Sequence, residues 1–152
     1  MQKLLRLSIA TILAALIATL SACAMLKTNP TDPEIQQTRK LALKIFDAVE
    51  MAGVGTQSVQ QFEIRLHDSG KVSDDAHRAF QTDLLITARI VRTGLTNIQA
   101  ATRVPELRMT VQVIIDNLKD LKTKYGAQMP DMGPMLDIVI SGLGVAVLFL
   151  GA

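Results

Sequence analysis

The chain has 152 residues, enough for one domain around a single core. Hydrophobic residues make up 49% of it and aromatic residues 3%, with no Trp and one Tyr, so it is built from aliphatic side chains and lacks the stacking platforms of a single-stranded nucleic-acid binder. Its formal net charge of +2 comes from Lys3 and Arg6 in the first few residues; without them 14 basic residues face 14 acidic ones, which leaves no nucleic-acid footprint.

The opening stretch, MQKLLRLSIATILAALIATLSAC, has three parts. Lys3 and Arg6 make a positive start, Leu7 to Leu20 is uncharged and largely apolar, and the small residues Ser21 and Ala22 precede Cys23. That order is the signature of a secretory signal peptide, and the apolar run is shorter than the roughly 20 residues of a spanning helix. Cys23 is also the single cysteine of the chain, so it cannot form an internal disulfide. Leu20-Ser21-Ala22-Cys23 resembles the lipobox of bacterial lipoprotein precursors: Leu, a small residue, Ala, then the Cys. The resemblance covers about the first 25 residues. It implies a diacylglyceryl thioether on Cys23, cleavage between Ala22 and Cys23, and in many Gram-negative bacteria a further acyl chain, such as palmitate, on the freed amine. Two or more acyl chains hold a protein stably to a membrane where one holds it marginally. Ala24 stands where Asp would favour inner-membrane retention, which points to the outer membrane, facing the periplasm.

The expected organisation is a signal peptide over 1–22, an acylated cysteine and tether over 23–32, and a helical domain over 33–152. The tether, AMLKTNPTDP after the cysteine, ends in a helix-start signal: Asp32 as cap, Pro33 at the first helical position and Glu34 against the N-terminal dipole. A first helix is expected to Leu66, with Ile45, Val49, Ala52, Val59, Phe62 and Leu66 on one face. Ala48, Ala52 and Gly55 on or beside that face would let another helix come close, and Gly53 with Gly55 marks a place for a bend or break. HDSGKVSDD reads as a turn, with Gly70 ending one helix and Ser73, Asp74 and Asp75 starting the next. The second helix runs to about Ala101, with Phe80, Leu84, Val91, Leu95 and Ile98 as its seam, and the short turn makes the pair an antiparallel hairpin. Pro105 opens a third helix on the repeat Leu107, Val111, Ile114, Leu118, Leu121, Tyr125, ended by Gly126. After the loop AQMPDMGP, residues 134–152 form a helix that is apolar almost all round, with Asp137 its only charge. The fold class is therefore all-α: a helical hairpin extended to a three- or four-helix bundle, preceded by a signal-peptide helix.

Four features are candidates for function, each with a plainer reading. The C-terminal helix either inserts in a bilayer or packs between subunits, or forms the central helix of a bundle wrapped by the other three; its shortness and Asp137 favour the core. Arg78, Arg89, Arg92 and Arg103 fall within a sector of roughly 60° if one helix carries them all, a stripe for anionic lipid or an acidic partner, or else a solvated face. Met129, Met132 and Met135 resemble the methionine motifs of copper-handling proteins, while methionines beside an apolar helix are commonly packing. His67 and His77 flank the turn beside Asp68, Asp74 and Asp75, a surface metal site or else ordinary polar residues at a turn tip, and their spacing matches no zinc signature. No nucleophile elbow, phosphate loop or HExxH is present in the sequence, so no enzyme, no catalytic residue and no cofactor beyond the acyl lipid on Cys23 is expected. The expectation is a structural or protein-interaction module of the cell envelope, with the membrane as partner through its anchor and another envelope protein or a second copy as the other. The alternative is a membrane-active or oligomerising lipoprotein working through the C-terminal helix.

Overall fold

The computed structural model describes residues 33–150. Leu20, Ser21, Ala22, Cys23 and the tether lie outside the described residues, as do the last two residues of the chain. Four helices follow one another: α1 (Glu34–Asp68), α2 (Asp74–Ala100), α3 (Val104–Tyr125) and α4 (Met132–Phe149). They run up, down, up and down. α1 packs on α2 and α4, α3 packs on α2 and α4, and α1 meets α3 only sparsely across the diagonal. The hairpin-plus-two-helices expectation thus resolves to a four-helix bundle with short connections.

The helix ends follow from local chemistry. α1 stops where Gly70 takes a φ of 71°, a left-handed conformation that only glycine adopts without penalty. The Lys71 amide then donates to the Leu66 carbonyl at 2.9 Å and the Gly70 amide to His67 at 2.8 Å, satisfying carbonyls that the last turn leaves open. Ser73 caps α2 through its hydroxyl, which accepts from the Ala76 amide at 3.3 Å. α3 has Pro105 in its first turn, and the Glu106 carboxylate reaches back to accept from the amides of Thr102 at 2.9 Å and Arg103 at 3.3 Å. At the other end of the chain, the Arg108 guanidinium donates to the Leu150 carbonyl at 2.6 Å and ties the start of α3 to the end of α4.

The core is the stripe that each helix turns inward. Leu107, Val111, Ile114, Leu118, Leu121 and Tyr125 of α3 are all buried, as are Phe80, Leu84, Val91 and Ile98 of α2 and Ile45, Val49, Ala52, Val59 and Phe62 of α1; Leu66 and Leu95 are half-buried. Phe80 meets Tyr125 edge-on at 5.0 Å between ring centres. α1 continues through Gly53 and Gly55 without interruption. Gly55 is where α4 comes closest: a Cβ there would stand 2.5 Å from Val139 Cγ2. The lack of a side chain at Gly55, rather than any break, is what the α1–α4 contact uses.

α4 is a corner of the ring and not its centre. It buries Met132, Gly133, Leu136, Val139, Leu143 and Ala146 and turns its other side outward. The expectation of a central helix wrapped by three others is corrected on this point. A helix apolar all round carries no periodicity to say which face is covered, and with three amphipathic partners a closed ring buries each of their stripes equally.

Candidate functional site

Two clusters of polar side chains and one ion pair join neighbouring helices in the half of the bundle far from Pro33. Glu63 of α1 is 0% exposed. Its Oε2 accepts from Gln81 Nε2 at 2.7 Å, and Gln81 Oε1 accepts in turn from Gln60 Nε2 at 2.8 Å. His77 Nδ1 lies 2.9 Å from Glu63 Oε1, so an imidazole with its proton on Nδ1 donates to the carboxylate. His77 stacks on His67 with ring centres 4.1 Å apart, and His67 Nε2 is 2.9 Å from Asp74 Oδ1. The hydrogen bond from His67 holds the Asp74 carboxyl below its ordinary value. This chain of groups links α1 to α2 across their turn and gives a buried carboxylate the partners it needs. A second cluster joins α2 to α3. Asp83 is bonded by Lys124 and accepts from the Tyr125 hydroxyl at 2.7 Å. Those two bonds, Lys124 first, hold the Asp83 carboxyl below its ordinary value, while burial pushes the Tyr125 phenol up. Between α3 and α4, Lys122 Nζ donates to both oxygens of Asp137 at 2.6 and 2.8 Å, so the single charge of α4 is paired.

The residues singled out in the sequence are scattered by this geometry. α2 ends at Ala100, and Arg103 sits at the cap of α3, where its guanidinium donates to Glu106 Oε1 at 2.9 and 2.7 Å. Arg78 pairs with Asp75 at 2.6 Å, and Arg89 and Arg92 are exposed on α2. The four arginines do not form one helix stripe, because the break over residues 101–103 resets the phase. Met129 and Met132 are buried in the core and Met135 is half-buried against it. His67 and His77 are brought together, yet among the described residues no group of three or more His, Cys, Asp or Glu is placed to hold a metal ion. Glu63 was not legible as a site residue, though a signal existed: it continues the spacing Ile45, Val49, Ala52, Thr56, Val59 along the buried face of α1.

No protein-family model, curated protein or solved structure matches the chain.

Two surfaces remain. A groove of about 220 Å³ runs between α1 and α2 over Gly53, Leu84 and Val91, with Gln57, Gln60 and Arg92 at its rim. The other is α4 itself. It is the one helix among the described residues long and apolar enough to cross a membrane, and 33% of it is buried in the bundle. Ile138, Val145, Leu148 and Phe149 are half-buried or exposed on its other side, interrupted by Ser141. An apolar helix face left at the surface of a bundle marks contact with another apolar body more readily than catalysis does.

Proposed function

We propose that this chain is an acyl-anchored bacterial lipoprotein whose four-helix bundle is a structural or protein-interaction module of the cell envelope and not an enzyme. The observation that carries the reading is the box Leu20-Ser21-Ala22-Cys23, placed after a basic start and a short apolar run and followed, after a ten-residue stretch, by the first helix. Ala24 after the cysteine supports the outer membrane and a periplasm-facing domain. The interaction role is supported by how the bundle uses its charged groups: Glu63, Asp83 and Asp137 are each engaged by side chains of another helix of the bundle, and Glu106 by the cap of its own helix.

A second reading has one observation in its favour, the outward apolar side of α4. On that reading the helix leaves the bundle, or meets a copy of itself, in a bilayer. Fractionation of cells carrying Cys23→Ala, with export provided by a cleavable signal, separates the two. The interaction module should appear in the soluble periplasmic fraction. Retention in the membrane pellet after carbonate washing would favour insertion of α4 and count against the first reading.

A further inference from the structure

Gly53 and Gly55 stand two residues apart in α1 and serve the bundle differently. At Gly55 an added Cβ would meet Val139 Cγ2 at 2.5 Å, so the approach of α4 requires the missing side chain. At Gly53 an added Cβ would touch Val91 Cγ1 at 3.6 Å, an ordinary contact. Glycine inside a helix is destabilising relative to alanine, and the bundle's own packing does not call for one at Gly53. What Gly53 does is leave space. With Ala88 of α2 it is one of the two smallest side chains lining the slot of about 220 Å³ between α1 and α2.

The chemistry of the slot is apolar with one cation. Leu84 and Val91 line it, and the Thr56 hydroxyl is spent on the Ala52 carbonyl at 2.8 Å. Leu85 stands at the rim, 58% exposed. Arg92, also at the rim, has no ion pair among the described residues. No acidic side chain lines the slot, and α2 carries none after Asp83. An unpaired guanidinium beside an apolar slot fits an aliphatic body with a carboxylate head, which matches the planar fork of arginine. The dimensions select a single chain. The volume exceeds the roughly 150 Å³ of a cavity that takes benzene and falls short of the roughly 300 Å³ at which drug-sized sites begin. Leu84 and Arg92 are about 12 Å apart along α2, the length of an extended chain of about ten carbons. A third helix, roughly 10–12 Å across, is too wide to enter between two helix axes about 8–10 Å apart, and on the α1 side it would rest on the amides of Gln57 and Gln60.

We propose that the slot between α1 and α2 is a binding site for a single-chain aliphatic carboxylate, a medium-chain fatty acid. The carboxylate pairs with the Arg92 guanidinium. The chain lies over Gly53 and Ala88 toward Leu84 and covers the exposed side of Leu85. The site belongs to the folded bundle and is independent of the fate of Cys23, so it stands or falls apart from the envelope reading above.

The test uses residues 23–152 with Cys23→Ala, which keeps all four helices, and methyl NMR of its Leu and Val side chains. Sodium decanoate should shift Leu84, Leu85 and Val91 and saturate with a Kd of about 1 mM or below. Butyrate, which has the charge without the length, and decyltrimethylammonium, which has the length with the opposite charge, should each bind at least about tenfold more weakly. Arg92→Gln should weaken decanoate at least about fivefold, and Ala88→Leu should fill the slot and abolish the shifts. Both positions are exposed, so the core is untouched. Gly53→Ala should raise the urea midpoint while weakening decanoate, a pairing that a purely structural glycine would not show. Absence of saturation by about 10 mM would overturn the proposal, as would Arg92→Gln and Ala88→Leu that bind like the parent. Equal binding of decyltrimethylammonium, or shifts centred on Leu148, would mark indiscriminate adhesion of amphiphiles and overturn it too. So would Leu84 and Leu85 shifts that change on dilution without decanoate, the mark of a second copy, or a photo-crosslinker at Leu85 that captures a protein in cells in place of lipid.

Discussion

Alanine at Gly55 and alanine at Gly144 are the same chemical change in two helices of one bundle, and the packing around them predicts opposite effects. In a helix interior, glycine to alanine is worth about 1 kcal/mol in favour of the fold through reduced chain entropy. At Gly144 nothing lies within 4 Å of the added Cβ, so that gain is realised in full. At Gly55 the Cβ would meet Val139 Cγ2 at 2.5 Å, about 1 Å inside ordinary carbon contact. Val139 is β-branched and has one strongly preferred rotamer in a helix, so it cannot swing aside. α1 and α4 must separate, and overpacking of this kind costs about 1–3 kcal/mol. The net expectation is that Gly55→Ala destabilises by up to about 2 kcal/mol while Gly144→Ala stabilises by about 1 kcal/mol. Urea unfolding followed by circular dichroism reads both, and Val139→Ala in the Gly55→Ala background should recover at least about 1 kcal/mol of coupling. If Gly55→Ala raised stability as much as Gly144→Ala, the close approach of α4 to α1 would be refuted.

Two further perturbations address the polar clusters. Glu63→Ala leaves the Gln81 amide and His77 without their carboxylate in a buried setting and should cost about 2–4 kcal/mol in urea unfolding, with Glu63→Gln milder; a loss below about 0.5 kcal/mol would contradict the burial of this network. Asp83 has a carboxyl held below 3.8 by Lys124 and Tyr125, so its contribution is present above that value and is lost as pH falls through the lower folded value. Stability against pH should therefore fall less steeply in acid for Asp83→Asn than for the parent, and identical acid limbs would sink the assignment.

Much of the bundle is legible in the sequence where a residue has one local job. Ser73 before two aspartates, Pro105 before the cleanest apolar repeat and Gly70 after a long helix each act on neighbours within a few positions, and the observed ends fall beside them. The use of Gly55 as a contact point is legible too, because a small residue on a buried face has few other roles. What is not legible depends on phase or on which neighbour arrives. Arg103 leaves the stripe of Arg78, Arg89 and Arg92 because three residues between α2 and α3 are non-helical, and a break of that length shifts every later side chain to a new direction. α4 has no polar side to betray its orientation, so its place in the ring waits on where the stripes of α1 and α3 point. Glu63 hides because a glutamate in a helix reads as solvent-facing until His77 and Gln81 are folded against it.

In the proposed lipoprotein, Cys23 is spent on lipid and the mature chain begins there. Mass spectrometry of the protein purified from membranes tests it directly, because trypsin cutting after Lys27 releases residues 23–27 as a single short peptide. The expected peptide has Cys23 as its first residue, is heavier by a diacylglyceryl group and a further acyl chain, and has no thiol open to alkylation. A chain beginning at any other residue, or a Cys23 that alkylates freely, would contradict it.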